Sequence, residues 1–312
     1  MEYGEYKFSC KFKNNAELPY YKGSTFRGVF GIALKKVVCA LKQNECNSCL
    51  LNNNCIYALV FETDKTVSAS PESKLSFVPH PFVIEPPLTN QTKFKTGDLF
   101  NFKILIFGNM NNNIPYFIYA LNQMGKIGVG KKINGQRGKF KLIKVKAAGQ
   151  VIYKSSEQKI KFQNKNELLF PENLKSKKTN GTLMLTFETP LRIKFKNHLK
   201  ADLPFHVLVR AMLRRISTLL ECYGEGEPDI DYSSLVKEAQ AVEIKGNSLQ
   251  WFDWKRYSSR QKEKMLMGGI TGSITYNGKF ENYLPLLDFC SKTHIGKQTA
   301  FGLGKFHYEV TP

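Results

Sequence analysis

Four cysteines, Cys39, Cys46, Cys49 and Cys55, fall within seventeen residues at the spacing C-x6-C-x2-C-x5-C, while Cys10, Cys222 and Cys290 stand alone. A reducing compartment disfavours disulfides, and four thiolates with one C-x2-C pair can surround a tetrahedral Zn²⁺ at about 2.3 Å. Cys39 ends the first long helical pattern. The others lie in or beside the Asn-rich loop Gln43 to Asn54, which has little apolar content to fold it. A structural metal supplies that missing order and, with four protein ligands, leaves no position open for catalysis. An iron–sulfur cluster and four ordinary reduced thiols are the other readings of this spacing.

A second set of residues suits phosphate. Gly125-Lys-Ile-Gly128-Val-Gly130 and Gly296-Lys-Gln-Thr-Ala-Phe-Gly302-Leu-Gly304 are glycine-rich, with Lys131, Lys132, Arg137, Lys297 and Lys305 in or beside them. Glycines permit positive φ and close backbone approach, so N–H groups can meet phosphates that the cations neutralise. Both runs lead from a helical pattern into a strand pattern, the reverse of a dinucleotide fingerprint, and no G-x-x-x-x-G-K-[ST] is present. A polymer backbone crossing the glycines fits better than a bound mononucleotide.

Trp251-Phe-Asp-Trp-Lys-Arg256-Tyr-Ser-Ser-Arg260-Gln261 interleaves aromatics with Arg and a terminal amide, the groups that stack on and hydrogen-bond to single-stranded RNA. The plainer reading buries both tryptophans and pairs the arginines with Asp253 or Glu263. Arg256, Arg260 and Gln261 are the contact candidates. His206, Arg210 and Arg214 recur every four residues and share one helix face, where a solvated basic stripe is the plainer reading.

The charge balance agrees with a polyanionic partner. Lys plus Arg total 46 against 26 acids, a net charge of +20, and residues 101–200 alone hold 20 cations against four acids. Between Asn101 and Gln150 there are nine basic residues and no acid, where a soluble surface normally mixes both signs. A phosphate backbone is the expected partner.

The elements that must position these groups form an internal repeat. Tyr6 to Phe12 alternates, Ser24 caps a helical pattern through Phe26, Val29, Phe30, Ala33, Leu34, Val37 and Val38, and Leu99 to Phe107 alternates again. An amphipathic stretch, Tyr116 to Met124, precedes the first glycine run and then Gly138-Lys-Phe140 to Val145. The second half repeats the order: strand Leu183 to Phe187, a helix opened by Pro204 and stopping near Gly224, and strand Gly269 to Tyr276. Helix Tyr283 to Phe289, the second glycine run and Gly304-Lys-Phe306 to Val310 follow. Each half reads β-α-β-β-α-β, the ferredoxin-like split βαβ. The expected fold is α+β, with tandem ferredoxin-like domains at 1–154 and 181–312, a four-cysteine metal-binding loop in the first, and a linker at 155–180 rich in Lys, Asn, Ser and Glu. The 312 residues suit two domains, and no apolar run reaches the ~18 residues of a membrane span. The polar, acidic start Met1-Glu-Tyr-Gly-Glu5 is unlike a signal peptide, so a cytoplasmic location without membrane attachment is expected.

Five segments together resemble a known family. They are Leu18-Pro-Tyr-Tyr-Lys-Gly-Ser-Thr-Phe-Arg-Gly-Val-Phe-Gly31 with the four-cysteine loop behind it, Arg214-Arg-Ile-Ser, and Trp251 to Gln261. Gly268-Gly-Ile-Thr-Gly272 and His294-Ile-Gly-Lys-x-Thr-x-Phe-Gly-Leu-Gly-Lys-Phe306 complete the set. Over nearly the whole length the chain resembles the CRISPR precursor-RNA processing endoribonucleases of the RAMP superfamily. The resemblance implies CRISPR repeat RNA (precursor crRNA) as ligand, a monomer or homodimer, CRISPR effector-complex proteins as further partners, and cleavage without a catalytic metal. In such cleavage the ribose 2′-hydroxyl attacks the adjacent phosphorus, leaving a 2′,3′-cyclic phosphate and a 5′-hydroxyl. A base, an acid and cations are needed.

Members of that family often carry a histidine near the first helix, whereas Leu18 to Lys36 holds Tyr20, Tyr21, Lys22, Arg27, Lys35 and Lys36 and no His. His80, between two prolines, reads as structural, and His198 and His307 lack a clear partner. The catalytic candidates are therefore His294, beside the second glycine run, and the Tyr20, Tyr21 and Lys22 constellation; a loop histidine bonded to backbone carbonyls is the plainer reading of His294. Arg27, His206, Gly302 and Gly304 join the RNA-binding candidates. Two other functions stand beside the endoribonuclease. One is a catalytically inactive RNA-binding subunit of a CRISPR effector complex. The other is a zinc-containing DNA-binding protein, which lacks both the spacing of a zinc finger and a helix-turn-helix.

Overall fold

The apolar alternation at the start of the chain becomes β1 (Glu2–Phe12), with Tyr6, Phe8, Cys10 and Phe12 buried on one face. β2 (Ala16–Glu17) leads to α1 (Gly23–Val38), which buries Phe26, Val29, Phe30, Ala33 and Leu34 at helical spacing. The helix begins two residues earlier than Ser24 as its cap would set it. Lys22 occupies the N-cap without a side-chain cap, and Ser24 is the second helical residue. α2 (Ile56–Phe61), β3 (Phe82–Glu85), β4 (Lys93–Phe94) and β5 (Leu99–Phe107) follow, then α3 (Ile114–Ile127). β6 (Val129–Ile133), β7 (Gln136–Gly138), β8 (Phe140–Ala147), β9 (Gln150–Lys154) and β10 (Glu167–Leu168) complete this part. The computed structural model describes residues 1–42, 45–63, 77–161, 167–168, 180–193, 203–258 and 263–311.

The main sheet has the order β3-β5-β1-β8-β9, all antiparallel, with β10 also paired to β1. β1 is central because it is apolar on its inner face over its whole length. Phe8 lies opposite Phe102 on one side and Val145 on the other, and its ring stacks on Phe102 at 5.1 Å. α1 lays Phe26 against Phe102 at 5.2 Å and Phe30 against Phe82 and Phe117 at 5.9 and 5.4 Å. Truncating a fully enclosed ring such as Phe30 to Ala costs about 3–5 kcal/mol.

A second sheet repeats the plan. It contains β11 (Asn180–Leu191), β12 (Glu243–Asn247), β13 (Gln250–Ser258), β14 (Glu263–Lys279) and β15 (Phe306–Thr311), in the order β12-β14-β11-β15 with β13 on β14. α4 (Phe205–Tyr223), α5 (Tyr232–Glu238) and α6 (Leu284–Thr293) accompany it. α4 buries Leu208, Met212, Ile216, Leu219 and Leu220, while Arg210 and Arg214 face solvent.

The chain splits into two compact units, Met1–Leu168 with Cys222–Gly224, and Leu169–Glu221 with Glu225–Pro312. The main division, after Leu168, falls inside the stretch 155–180. That stretch is not bare linker: β10 pairs Glu2 with Leu168, and Tyr153 bridges to Ile160. No helix of the described residues is long and apolar enough to cross a membrane.

One sequence expectation needs correcting. Gly125 is not in a loop but in α3, where an added Cβ would lie 2.3 Å from the Phe140 carbonyl oxygen. The glycine there lets the helix approach β8 closely. Past Gly128 the chain forms the β6–β7 hairpin rather than an irregular glycine loop.

Candidate nucleic-acid interface

In the first unit, cations gather on the β6–β7 hairpin and beside α1. Lys131, Lys132 and Arg137 are exposed, and the one ion pair of Lys131, to Glu17 at 3.4 Å, is a surface contact worth little. Lys22 behaves otherwise. It is 1% exposed, its Nζ donates to the carbonyls of Tyr20 (3.0 Å) and Thr89 (2.7 Å), and burial lowers its pKa. Tyr21 is also buried, and its hydroxyl is pushed up by desolvation and then by Glu85. Of the constellation suggested by sequence, only Tyr20 reaches solvent, at 53% exposure. Lys22 and Tyr21 are packed at the entry to α1.

Sequence reasoning missed the partner of Arg27. Its Nη2 donates to Nε2 of His80 at 2.8 Å, while Nδ1 of His80 donates to the Val60 carbonyl at 3.0 Å. These bonds fix a neutral imidazole with its proton on Nδ1. The guanidinium also lies over the Phe61 ring, 5.0 Å from its centroid. Nothing at 53 residues' separation advertises this pairing, and the flanking prolines of His80 are its only local signal.

In the second unit the segment after α6 is packed rather than open. His294 ends α6 with φ 62°, is fully buried, and donates from Nδ1 to the Leu303 carbonyl at 3.1 Å. Ile295 N–H donates to Gly304 O (3.1 Å), Gly304 N–H to Pro190 O (3.1 Å), and Lys297 N–H to Arg192 O (2.8 Å). Thr189 Oγ1 donates to Gly302 O and accepts from Lys305 N–H, both at 2.8 Å. The sequence placed His294 at a scissile phosphate or, more plainly, on backbone carbonyls; the structure buries its imidazole and bonds it to the backbone. Lys297 is exposed, whereas Lys305 is held by Glu188 at 3.2 Å, which also meets His307 at 3.4 Å.

Two polar atoms beside this segment were invisible to the sequence. Nε of Arg192 and Oε1 of Gln298 are buried without a hydrogen-bond partner among the described residues. Burial lowers the Arg192 pKa, with Asp253 opposing. Arg215, read from sequence only as a neighbour of the stripe, is buried and donates twice to the Thr293 carbonyl, at 3.3 and 2.7 Å. It braces the same segment from α4.

Arg210 and Arg214 are exposed on α4 and His206 is half-buried beside them, its pKa lowered by burial and then by Arg210. On β13, Trp254 is buried and stacks on Phe252 at 5.7 Å, and Trp251 Nε1 donates to Asp253 Oδ1 at 2.7 Å. The backbone of Arg256 is in β13; its side chain, and all of Arg260 and Gln261, lie outside the described residues. His198 lies outside them too.

The four cysteines line a single cavity of about 20 Å³ with Glu45, Asn52, Tyr57 and Ala58. Among the described residues, no three His, Cys, Asp or Glu side chains already stand as a metal-binding group. Burial pushes the Cys46 thiol up, with Lys35 opposing.

Comparison with known proteins defines the class. The family model of the CRISPR-associated endoribonuclease Cas6 matches residues 185–306, from β11 through the packed glycine segment into β15. The AF_1859_N N-terminal domain matches residues 1–165. The chain thus belongs, over more than half its length, with the AF_1859_N N-terminal domain family, and its residues 185–306 are similar to the CRISPR-associated endoribonuclease Cas6. It is 25% identical over 295 residues to an uncharacterized protein of Archaeoglobus fulgidus, covering 93% of this chain and 92% of that one. Among solved structures, a Cas6 product complex shares 13% identity at TM-score 0.56, covering 98% of this chain and 100% of that one. Thermus thermophilus Cas6 shares 11% at TM-score 0.55, covering 99% and 98%. A partial Cas6-RT-Cas1–Cas2 complex shares 14% at TM-score 0.57, covering 99% of this chain and 46% of that one. At these identities the likeness to solved structures is one of fold.

Proposed function

We propose that this protein is a metal-independent endoribonuclease that binds CRISPR repeat RNA and cuts precursor crRNA, built on two ferredoxin-like domains of the RAMP type. The observation that carries the reading is the Cas6 match over residues 185–306, whose glycine segment is locked by Thr189, Arg192 and Arg215. The two strand orders, fourth-first-third-second within each β-α-β-β-α-β set, support the domain assignment. The ribose 2′-hydroxyl attacks the adjacent phosphorus, a base takes its proton, an acid protonates the leaving 5′-oxygen, and cations stabilise the crowded phosphate. The products are a 2′,3′-cyclic phosphate and a 5′-hydroxyl. Delivery of the cut guide to CRISPR effector-complex proteins is part of this reading.

With His294, Tyr21 and Lys22 enclosed, the proton-transfer candidates that reach solvent are His206 and Tyr20. Burial and then Arg210 lower the pKa of His206, a shift toward the neutral imidazole that a base requires. The enclosure of the other groups favours the second reading, a subunit that holds RNA without cutting it. Incubating labelled repeat RNA with the protein in excess EDTA separates the two. Cutting of normal RNA but not of RNA with a 2′-deoxy group at the cut site supports the nuclease, and tight binding without cutting removes it. A preference for duplex DNA removes both. His206→Gln and Tyr20→Phe are compared in the same assay. If His206 is the base, the acid limb of the wild-type pH–rate profile lies below ~6.5 and its loss flattens that limb. A circular dichroism control guards against unfolding by the chelator.

A further inference from the structure

We infer that Cys39, Cys46, Cys49 and Cys55 hold a structural zinc ion in the first unit. The inference stands apart from the RNA reading, since it rests only on how residues 39–58 fold.

The backbone places the four cysteines around one cavity. Cys49 N–H donates to Cys46 O (3.2 Å), Asn52 N–H to Cys49 O (2.9 Å), and Cys55 N–H to Asn52 O (3.2 Å). Successive three-residue turns eclipse side chains at i and i+3, so residues 46, 49, 52 and 55 fall on one side of the loop. Cys39, just past the C-terminal turn of α1, closes the cavity they line.

The loop is inverted relative to an apolar one. Of the described residues from 40 to 54, only Cys46, Cys49 and Asn52 are half-buried, the rest being exposed, and all three line the cavity. Leu41, Leu50 and Leu51 point outward, with Leu50 84% exposed. A loop folding by hydrophobic burial would turn its leucines in and leave small thiols at the edge. Turning thiols in and leucines out is rational only where the thiols bind something.

Chemistry and size select the ligand. Four sulfurs are the soft donor set of tetrahedral Zn²⁺, and a cavity of about 20 Å³ holds one particle the size of a water or a metal ion. Asn52 also lines the cavity, its Oδ1 buried without a hydrogen-bond partner among the described residues. With the amide turned over, its N–H₂ would meet a thiolate sulfur. Binding is balanced as one Zn²⁺ plus four thiols giving a zinc tetrathiolate of charge −2 plus four H⁺. Lys35, whose Nζ lies 5.3 Å from the centre of the Tyr57 ring on the cavity wall, sets a cation near the resulting charge. The thiols surround the cavity without yet forming a coordination group, so the loop contracts onto the ion.

The test is metal analysis of the full-length protein purified under reducing conditions from zinc-supplemented medium. The expected content is about one zinc per chain, released by a thiol-specific mercurial. Replacement by Co²⁺ should give sulfur-to-cobalt charge-transfer bands and the intense visible bands of a tetrahedral thiolate site. Cys46→Ser with Cys49→Ser should lose the zinc, and Cys222→Ser should keep it. If the double variant fails to fold, the Co²⁺ spectrum of the unmodified chain decides alone. Protein that takes up neither zinc nor cobalt after reconstitution overturns the inference, as does brown protein containing iron and labile sulfide.

Discussion

Residues 128–139 of the first unit and 294–305 of the second occupy the same place in the repeat, between the second helix and a strand that opens with Gly-Lys-Phe. Their compositions are alike and their structures are not. The first is a two-stranded hairpin with exposed Lys131, Lys132 and Arg137 and an Asn134-Gly135 turn at φ 49° and 79°. The second buries His294, Ile295, Thr299, Ala300 and Leu303 and leaves Lys297 as its exposed cation. Gly135 of the first segment makes a turn in solvent, while Gly130 beside Glu17 and Gly304 beside Ile295 let one stretch of backbone pass against another. One region therefore displays charge, and the other fixes shape. Screening by salt should act on the first and steric change on the second.

The largest contrast comes from the shape-fixing region. At Gly304, φ is +74° and an added Cβ would lie 1.8 Å from the Ile295 carbonyl oxygen, a backbone atom that cannot yield cheaply. Gly304→Ala should destabilise the second unit by about 3 kcal/mol or more, because left-handed strain and a backbone clash add. Urea unfolding followed by tryptophan fluorescence measures this directly, since Trp251 and Trp254 both lie in that unit. A variant as stable as the parent would mean the segment is not packed as described.

Next in size is the charge-displaying region. Replacing Lys131, Lys132 and Arg137 together by Ala should leave the unfolding curve nearly unchanged and weaken repeat-RNA binding roughly ten- to hundredfold. Three lost phosphate contacts lower the salt slope by about 2, at ~0.7 per contact on single-stranded RNA. Fluorescence anisotropy over a salt series reads both quantities. An unaltered slope would assign the RNA contacts elsewhere, with Arg210 and Arg214 the next to examine.

A smaller effect separates packing from chemistry within the second segment. His294→Ala leaves the buried Leu303 carbonyl without its imidazole donor and costs about 1–3 kcal/mol. Cleavage by the folded fraction should persist with an unshifted pH profile. Loss of cutting in protein shown to be fully folded would return His294 to the chemistry.

How far the sequence foretold this follows from the kind of signal each region carries. β1, α1, α4 and β5 were legible because a core-facing element repeats its apolar residues at a fixed period. The start of α1 misled because Lys22 at its N-cap is a buried amine bonded to two carbonyls, which no capping rule anticipates. The β6–β7 hairpin was hidden by glycines and lysines that carry no strand pattern, although Asn134-Gly135 is the strongest short hairpin signal in it. Exposure was the least legible property. His294 and Lys297 are three residues apart in one glycine-rich run, yet one is sealed and the other free to solvent, and only tertiary packing separates them. The chemical types of the site residues could be read; their burial could not.

The smallest expected change sharpens the comparison most cleanly because it repeats the substitution made at Gly304. Gly135 also has positive φ, +79°, but an added Cβ there meets nothing within 4 Å. Gly135→Ala therefore carries the left-handed penalty without the clash, about 1 kcal/mol, partly offset by the reduced freedom of the unfolded chain. The hairpin can relieve the strain by opening its turn into solvent, a response not open to the enclosed backbone at Gly304. RNA affinity should change by less than about threefold, because Lys131, Lys132 and Arg137 stay on strands that still pair. The decisive quantity is the difference between the two glycine variants in the same urea experiment. Equal losses would show that φ alone sets the requirement for glycine at both positions. A loss at Gly304 several times that at Gly135 would show that Gly304 is needed for close backbone approach and Gly135 only for its turn.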